Sequence, residues 1–317
     1  MNEFGIKPST ANLEALGLGN VASALANKLA EDSNNQIVII DNLSTGDITK
    51  VPKLDNVKFI KADANNYNDI VPIFGRYNFD YVFHYAAVVG VQRTLENPIM
   101  VLNDIEGIKN ILSLSKNSGV KRVFYSSSSE VYGEPFEIPQ NEKTTPLNSR
   151  LPYAIVKNVG EAFFKSYYQE YGLEYTIFRF FNTYGPNQSE DFVVPRFIKA
   201  ALCNQPITLY GDGLQTRSFC YVDDNIDTCI KAMKSNQCVN DVINVGSDKE
   251  MTILELAQII IRVTNSKSEI IHLPALEEGD MTRRCPDTTK MKSILGRELV
   301  TLEEGIKKLV RYYENRF

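Results

Sequence analysis

An α/β fold with a doubly wound parallel sheet is what this sequence predicts, and three observations predict it. Short apolar runs at residues 37–40, 57–60, 81–83, 122–125 and 175–178 have the length and the β-branched or aromatic content of buried strands. Amphipathic stretches at 21–31, 98–118 and 153–171 lie between them with the period of helices. Strand and helix repeated in that order need crossover connections, which make the sheet parallel and place helices on both faces. The chain has 317 residues, 43% apolar and 23% charged, enough to bury the core such a sheet requires.

The elements follow in order. Residues 8–14 (PSTANLE) are too polar to read as a buried strand. Gly17 and Gly19 then precede the helical stretch 21–31. The run 37–40 ends in Asp41-Asn42, and 57–60 leads to Asp63. The stretch 80–91 ends in small residues, Ala86-Ala87, the size needed where backbone approaches a ligand and equally the size of small core packing. Four serines, 126–129, follow the run 122–125. Ligands of parallel sheets bind beyond the carboxyl ends of the strands, where these residues fall. After about Asn182 the texture becomes loop-rich, with Gly185-Pro186 and Gly211-Asp212-Gly213 around a helical stretch at 194–203. A strand at 241–245 is predicted to return to the sheet, and helices are predicted at 253–264 and 302–313. Residues 1–181, with a return segment near 218–246, therefore read as the sheet domain, and 182–317 as a smaller interleaved lobe.

Composition removes several classes of function. The net charge is −5 and the Lys and Arg residues are scattered, which leaves no footprint for nucleic acid or an anionic membrane. Five cysteines lack paired metal spacing, and their odd number predicts reduced thiols. Only two histidines, His84 and His272, are present, which argues against a zinc site and predicts no metal. No apolar run approaches the roughly 20 residues that span a bilayer, and residues 1–17 lack a secretory signal pattern. The expectation is a soluble, cytoplasmic protein.

Chemistry concentrates at three residues. Tyr153 and Lys157 lie four apart on a predicted helix, so they share a face with Cβ atoms about 5–6 Å apart. An ammonium beside a phenol favours the phenolate and lowers its pKa from about 10 towards working pH. Such a tyrosine takes a proton from a substrate hydroxyl while hydride leaves the same carbon for NAD. Ser128, 25 positions upstream at a strand end, can bond the same oxygen. Tyr-x-x-x-Lys alone is commonly a surface pair; the serine run makes it a catalytic candidate. Asp41, after the run 37–40, can accept both hydroxyls of an adenosine ribose and repel a 2′-phosphate, which selects NAD over NADP. Its other reading is a turn aspartate.

The blocks 125–133 (YSSSSEVYG), 153–157 (YAIVK), 179–186 (RFFNTYGP) and 209–213 (LYGDG), with Arg217 and 221–224 (YVDD), carry a resemblance. In order and spacing, over roughly residues 20–317, they resemble the NAD-dependent epimerase/dehydratase family, nucleotide-sugar enzymes of the extended short-chain dehydrogenase type. The resemblance implies a Rossmann-like NAD-binding domain over 1–181 and a substrate-binding lobe over 182–317. It implies Ser128, Tyr153 and Lys157 as the catalytic trio, with Tyr153 and Lys157 also touching NAD. It puts Asp41, Asn42 and Asp63 at the adenosine, Gly17, Gly19 and Ala86 along the rest of the cofactor, and Asn182 and Arg217 at the nucleotide diphosphate. Read locally, Asp63 is equally a helix N-cap, Asn182 a turn asparagine and Arg217 a solvated surface residue. The partner implied is a UDP-sugar, and the assembly a homodimer joined through the helices near 98–118 and 153–171.

Two departures from the family bear on function. Its phosphate loop is G-x-x-G-x-x-G, whose glycines admit backbone N–H groups to the pyrophosphate. Aligned back from Asp41, those positions fall on Leu16, Gly19 and Ala22, with Gly17 beside them. Leu16 puts a side chain where the turn is tight; Ala22 is tolerable, because the third glycine serves helix–strand packing. The second departure is Ser129-Glu130, where many of the family's 4-epimerases carry small or neutral residues. A carboxylate there removes a proton from C5 of a 4-keto sugar, which is dehydratase chemistry, although dehydratases carry Asp where Ser129 stands. UDP-glucuronate decarboxylases share the Ser-Glu and the look of 283–287 (RRCPD), with the arginine matching Arg284 beside the substrate carboxylate. Against that branch, Ala154-Ile155-Val156 replace its acidic residues. Glu130 also reads as a strand-end acid, and Arg284 as a diphosphate or surface contact. The main expectation is an NAD-dependent nucleotide-sugar epimerase working by transient C4 oxidation. The alternatives are a UDP-glucuronate decarboxylase or 4,6-dehydratase using Glu130 and Arg284, and a non-catalytic nucleotide-sugar-binding protein with a decayed cofactor loop.

Overall fold

Seven parallel strands form the centre of the protein, which the computed structural model describes over residues 11–235, 237–274 and 283–314. They are β1 (Ala11–Leu16), β2 (Asn35–Asp41), β3 (Val57–Lys61), β4 (Tyr81–His84), β5 (Arg122–Ser128), β6 (Glu174–Phe180) and β7 (Asp241–Val245). The spatial order is β7-β6-β5-β4-β1-β2-β3. That order reverses between β1 and β4, the switch point at which such sheets open a crevice.

The sheet is covered by helices α1 (Asn20–Ala30), α2 (Tyr67–Arg76), α3 (Asp104–Ser118), α4 (Pro152–Tyr171) and α5 (Val222–Lys234). Side chains alternate between the faces, as strand geometry dictates. Leu13, Ile39, Phe83, Phe124 and Phe178 pack with Leu25 and Leu29 of α1 and Ile226 and Cys229 of α5. Val38, Val82, Val123 and Ile177 pack with Ile70 of α2, Ile111 of α3 and Phe164 of α4. Each such fully buried side chain is worth roughly 1.5–3 kcal/mol, so both layers are firmly seated on the sheet.

Two expectations are corrected here. Of the stretch 8–14, too polar to read as a strand, residues 8–10 lie outside the described residues and 11–14 begin β1, which pairs in parallel with β2 through Leu13↔Ile37 and with β4 through Leu13↔Tyr81. Flanking strands on both sides satisfy its backbone, and Leu13 and Ala15 are buried against α1, so tertiary context overrides local composition. The stretch expected as one helix over 98–118 is two, Pro98–Leu102 and α3, meeting at Asn103. At that join the Asp104 carboxylate accepts the Val88 N–H at 2.7 Å.

The strand expected at 241–245 is β7, paired in parallel with β6. The remaining chain contributes helices Val193–Leu202, Ile253–Thr264, Thr289–Leu295 and Leu302–Glu314. Their buried residues, including Phe197, Leu256 and Leu309, join the same apolar cluster as β1 and α1. Among the described residues no helix is long and apolar enough to cross a membrane.

Candidate active site

A cavity of about 740 Å³ opens over the carboxyl ends of the strands and reaches Gly17, Asp41, Ala86, Ser128, Tyr153 and Arg284. That volume lies in the range of small-molecule sites, and its position is the switch point of the sheet.

One end of the cavity is built by the turns after β1, β2 and β3. Gly17 has φ +103°, its N–H donates to the Ile40 carbonyl at 2.8 Å, and a Cβ there would lie 3.2 Å from the Ala86 backbone. The tight turn therefore falls on Gly17. Leu16, expected to obstruct it, lies within β1 and pairs with Ile40 and His84. Gly19 precedes α1, and a Cβ added to it meets no atom within 4 Å, so it faces open cavity. The N–H groups at that helix start can receive an anion past Gly19, which carries no side chain. The Asn20 side-chain amide beside it is buried without a partner.

Asp41 ends β2, where its carboxylate accepts the Leu18 N–H at 2.7 Å and the Leu43 N–H at 2.6 Å. One acid thus clamps the first turn to the second. Asp63 accepts from Asn42 Nδ2 at 3.1 Å and the Asn65 N–H at 2.9 Å. Helix α2 is capped by Asn66, so the N-cap reading of Asp63 does not hold. A side-chain-free helix start, an acid at the end of β2 and the close Ala86 backbone together fit a dinucleotide.

At the other end, Ser128 terminates β5 and its Oγ accepts the Glu130 N–H at 3.2 Å, which starts the 3-10 turn Ser129–Tyr132. Helix α4 begins at Pro152, whose fixed φ suits a first turn. Tyr153 shares a hydrogen bond with Ser128. Lys157 is buried, donates from Nζ to the Ser126 carbonyl at 2.6 Å, and sits 5.6 Å from the centre of the Tyr153 ring. Burial lowers the Lys157 pKa to about 8, with Asp104 opposing the shift.

Tyr153 departs from expectation. Burial pushes its pKa up, the Glu130 carboxylate adds to that, and the Ser128 hydrogen bond opposes it. The Lys157 ammonium is turned to the Ser126 carbonyl and does not offset that rise.

Glu130 and Arg284 form an ion pair at 2.7 Å, and both line the cavity. Arg284 is buried, so the surface reading of it fails. Asn182 also lines the cavity, with φ +26° and its Nδ2 donating to the Ser218 carbonyl at 3.0 Å. Arg217 does not join these residues: it is buried outside the cavity lining and donates to the Thr216 carbonyl at 2.7 Å. Sequence reasoning missed Asn20, His84 and Asp104, all of which line the cavity. Asn20 follows Gly19 directly, so the loop itself pointed to it; tertiary contacts alone bring in Asp104. His84 is buried, and burial followed by Lys157 lowers its pKa to about 3, which keeps the imidazole neutral.

Comparison with known proteins gives a consistent picture. The chain is 35% identical over 309 residues to UDP-glucuronic acid decarboxylase 1 of Danio rerio, covering 94% of this chain and 71% of that one. It is 34% identical over 305 residues to a putative UDP-glucose 4-epimerase of Methanocaldococcus jannaschii, covering 94% and 97%. A solved UDP-glucose 4-epimerase of Thermotoga maritima, with UDP-glucose, superposes with a TM-score of 0.90 at 31% identity over 96% of this chain and 99% of that one. The family model matches residues 17–246 as well, and with the glycine turn, the acid that ends β2 and Ser128 and Tyr153 lining one cleft, the chain belongs to the NAD dependent epimerase/dehydratase family.

Proposed function

We propose that this protein is an NAD-dependent nucleotide-sugar epimerase that transiently oxidises C4 of a UDP-sugar. The observation that carries the proposal is the convergence of Ser128, Tyr153 and Lys157 at the end of the cavity opposite the Gly17 turn and Asp41. NAD, when bound, supplies the acceptor and later the donor of hydride. Gly17, Gly19, Asn20 and Ala86 would hold its diphosphate and ring, and Asp41, Asn42 and Asp63 its adenosine. Tyr153 Oη takes the proton from the C4 hydroxyl and returns it after the sugar has turned over. Ser128 Oγ holds the same oxygen, and Lys157 contributes positive charge below Tyr153. A cationic ring in the cleft would oppose the burial that holds Tyr153 protonated, so proton abstraction and cofactor loading are linked. Asn182 and Arg284 are polar groups of the lining placed to meet the nucleotide and the sugar. The reading further takes the protein as a cytoplasmic homodimer. The exposed apolar residues Ile99, Leu102 and Ile155 supply the face for it.

A specific observation favours a second reading. The Glu130–Arg284 pair stands inside the cavity at the substrate end. An arginine there can take a sugar carboxylate in place of Glu130 and free that acid for proton transfer, as decarboxylation of a 4-keto uronate requires. The test is product analysis by NMR after incubation with UDP-glucose, UDP-N-acetylglucosamine and UDP-glucuronate. Interconversion at C4 without loss of carbon supports the epimerase, and carbon dioxide from UDP-glucuronate supports the second reading. Conversion of none of them would sink both.

A further inference from the structure

Helix α4 presents a third polar residue in the row that carries Tyr153 and Lys157. Glu161 stands four residues beyond Lys157 and eight beyond Tyr153, so all three fall on one stripe. Glu161 is 1% exposed and Arg179, on β6, is 2% exposed. Two hydrogen bonds join them in a fork, Arg179 Nε to Oε1 at 2.8 Å and Nη2 to Oε2 at 2.6 Å. Ser127, next to Ser128 on β5, donates its hydroxyl to the same Oε1 at 2.6 Å. Arg179 Nη1 continues to Tyr132 Oη at 2.8 Å, and Tyr132 donates to Asn244 Oδ1 on β7 at 2.7 Å. Tyr132 ends the 3-10 turn that carries Glu130.

One buried ion pair therefore joins α4, β5, β6 and the turn, the four elements whose ends form the reacting face. A buried pair of this kind is a poor source of stability, since apolar side chains of similar volume are commonly as good. What apolar side chains lack is direction: a guanidinium fork fixes angle as well as distance. We propose that Glu161 and Arg179 are positioning residues, which hold Tyr153 and Lys157 on α4 in register with Ser128 on β5 and Glu130 on the turn. The inference rests on the proposed function in taking Tyr153 and Ser128 as the reacting groups.

The test uses the double variant Glu161→Leu/Arg179→Met and the single variant Arg179→Lys, each as the dinucleotide-loaded protein. A misplacement of about 1 Å at a reacting group can cost about 10²-fold in rate. The double variant should melt within a few degrees of wild type and keep KM within about threefold, while kcat falls about 10²-fold. Arg179→Lys keeps the charge without the fork and should lose about tenfold in kcat. A folded double variant with wild-type kcat overturns the proposal. Should the double variant fail to fold, Arg179→Lys decides, and wild-type kcat in that variant overturns it equally. A wild type inactive on every UDP-sugar is failure of the proposed function, not of this inference. The register is then read from the 13C resonance of the Tyr153 ring, assigned through Tyr153→Phe. That resonance should move in the double variant, and an unmoved one overturns the proposal.

Discussion

Burial and Glu130 hold the Tyr153 pKa above its ordinary value against the Ser128 hydrogen bond, so the proposed proton abstraction needs the opposing charge of bound NAD. Removing its hydroxyl should therefore abolish proton transfer without emptying the cleft. Tyr153→Phe is expected to lower kcat by about 10²–10⁴-fold while bound dinucleotide, released by acid, stays at the wild-type level. A second residue has a different consequence. Glu14, in the middle of β1, is fully buried with neither carboxyl oxygen partnered, and burial alone holds its pKa well above the usual carboxylate range. The folded state thus holds that proton more tightly than the unfolded chain. This contribution is complete below the unfolded pKa of about 4.3 and is lost as pH rises through the folded value. Every tenfold difference in proton affinity between the two states corresponds to about 1.4 kcal/mol, or roughly 2–4 °C in Tm. Glu14→Leu should melt higher than wild type, with a gap that widens between pH 5 and pH 9. A constant gap would contradict the assignment. Ser128, Tyr153 and Lys157 were legible as neighbours, whatever their role, because the end of β5 and the first turns of α4 bring them together. Arg217 was not, because four letters of context cannot show that its guanidinium turns back to the Thr216 carbonyl.

Among the elements, the turn from β1 into α1 separates what the backbone needs from what the cofactor needs. Gly17 is required by the fold, through its positive φ and its contact with Ala86, whereas Gly19 looks only into the cavity. Gly17→Ala should lower both Tm and dinucleotide content. Gly19→Val should leave Tm within about a degree and weaken NAD binding tenfold or more, measured by calorimetry on protein stripped of cofactor. Equal effects from the two variants would contradict this division. The strands β2 to β7 were legible from their apolar runs, the inner ones buried on two faces and the edge strand β3 only half-buried. β1 was not, because Asn12 and Glu14 break the run and only its place between β2 and β4 makes it a strand. The division of 98–118 also escaped a periodicity argument, which sees the continuous apolar pattern and not the join at Asn103.

At the scale of the whole molecule, the exposed apolar residues Ile99, Leu102 and Ile155 stand on helix Pro98–Leu102 and on α4, outside the cavity lining. Ile99 is 70% exposed, so a charge placed there harms no monomer. Ile99→Asp should convert a dimer to a monomer in sedimentation at micromolar concentration without lowering Tm in the monomeric state. A wild type that sediments as a monomer would contradict the proposed dimer. The doubly wound sheet and its switch-point cleft were legible from the order of strands and helices, and with them the place proposed for the site. The reaction proposed there was less so, since the choice between the two proposed readings turns on how Glu130 and Arg284 face one another across 2.7 Å.

Acid release of dinucleotide from freshly purified protein, quantified by absorbance and enzymatic cycling, tests the central claim most directly. A cleft with Gly17 at its tight turn, Gly19 open to the cavity and Asp41 at the end of β2 should yield close to one NAD per chain. Protein that carries none, and takes up none on soaking, would contradict the account.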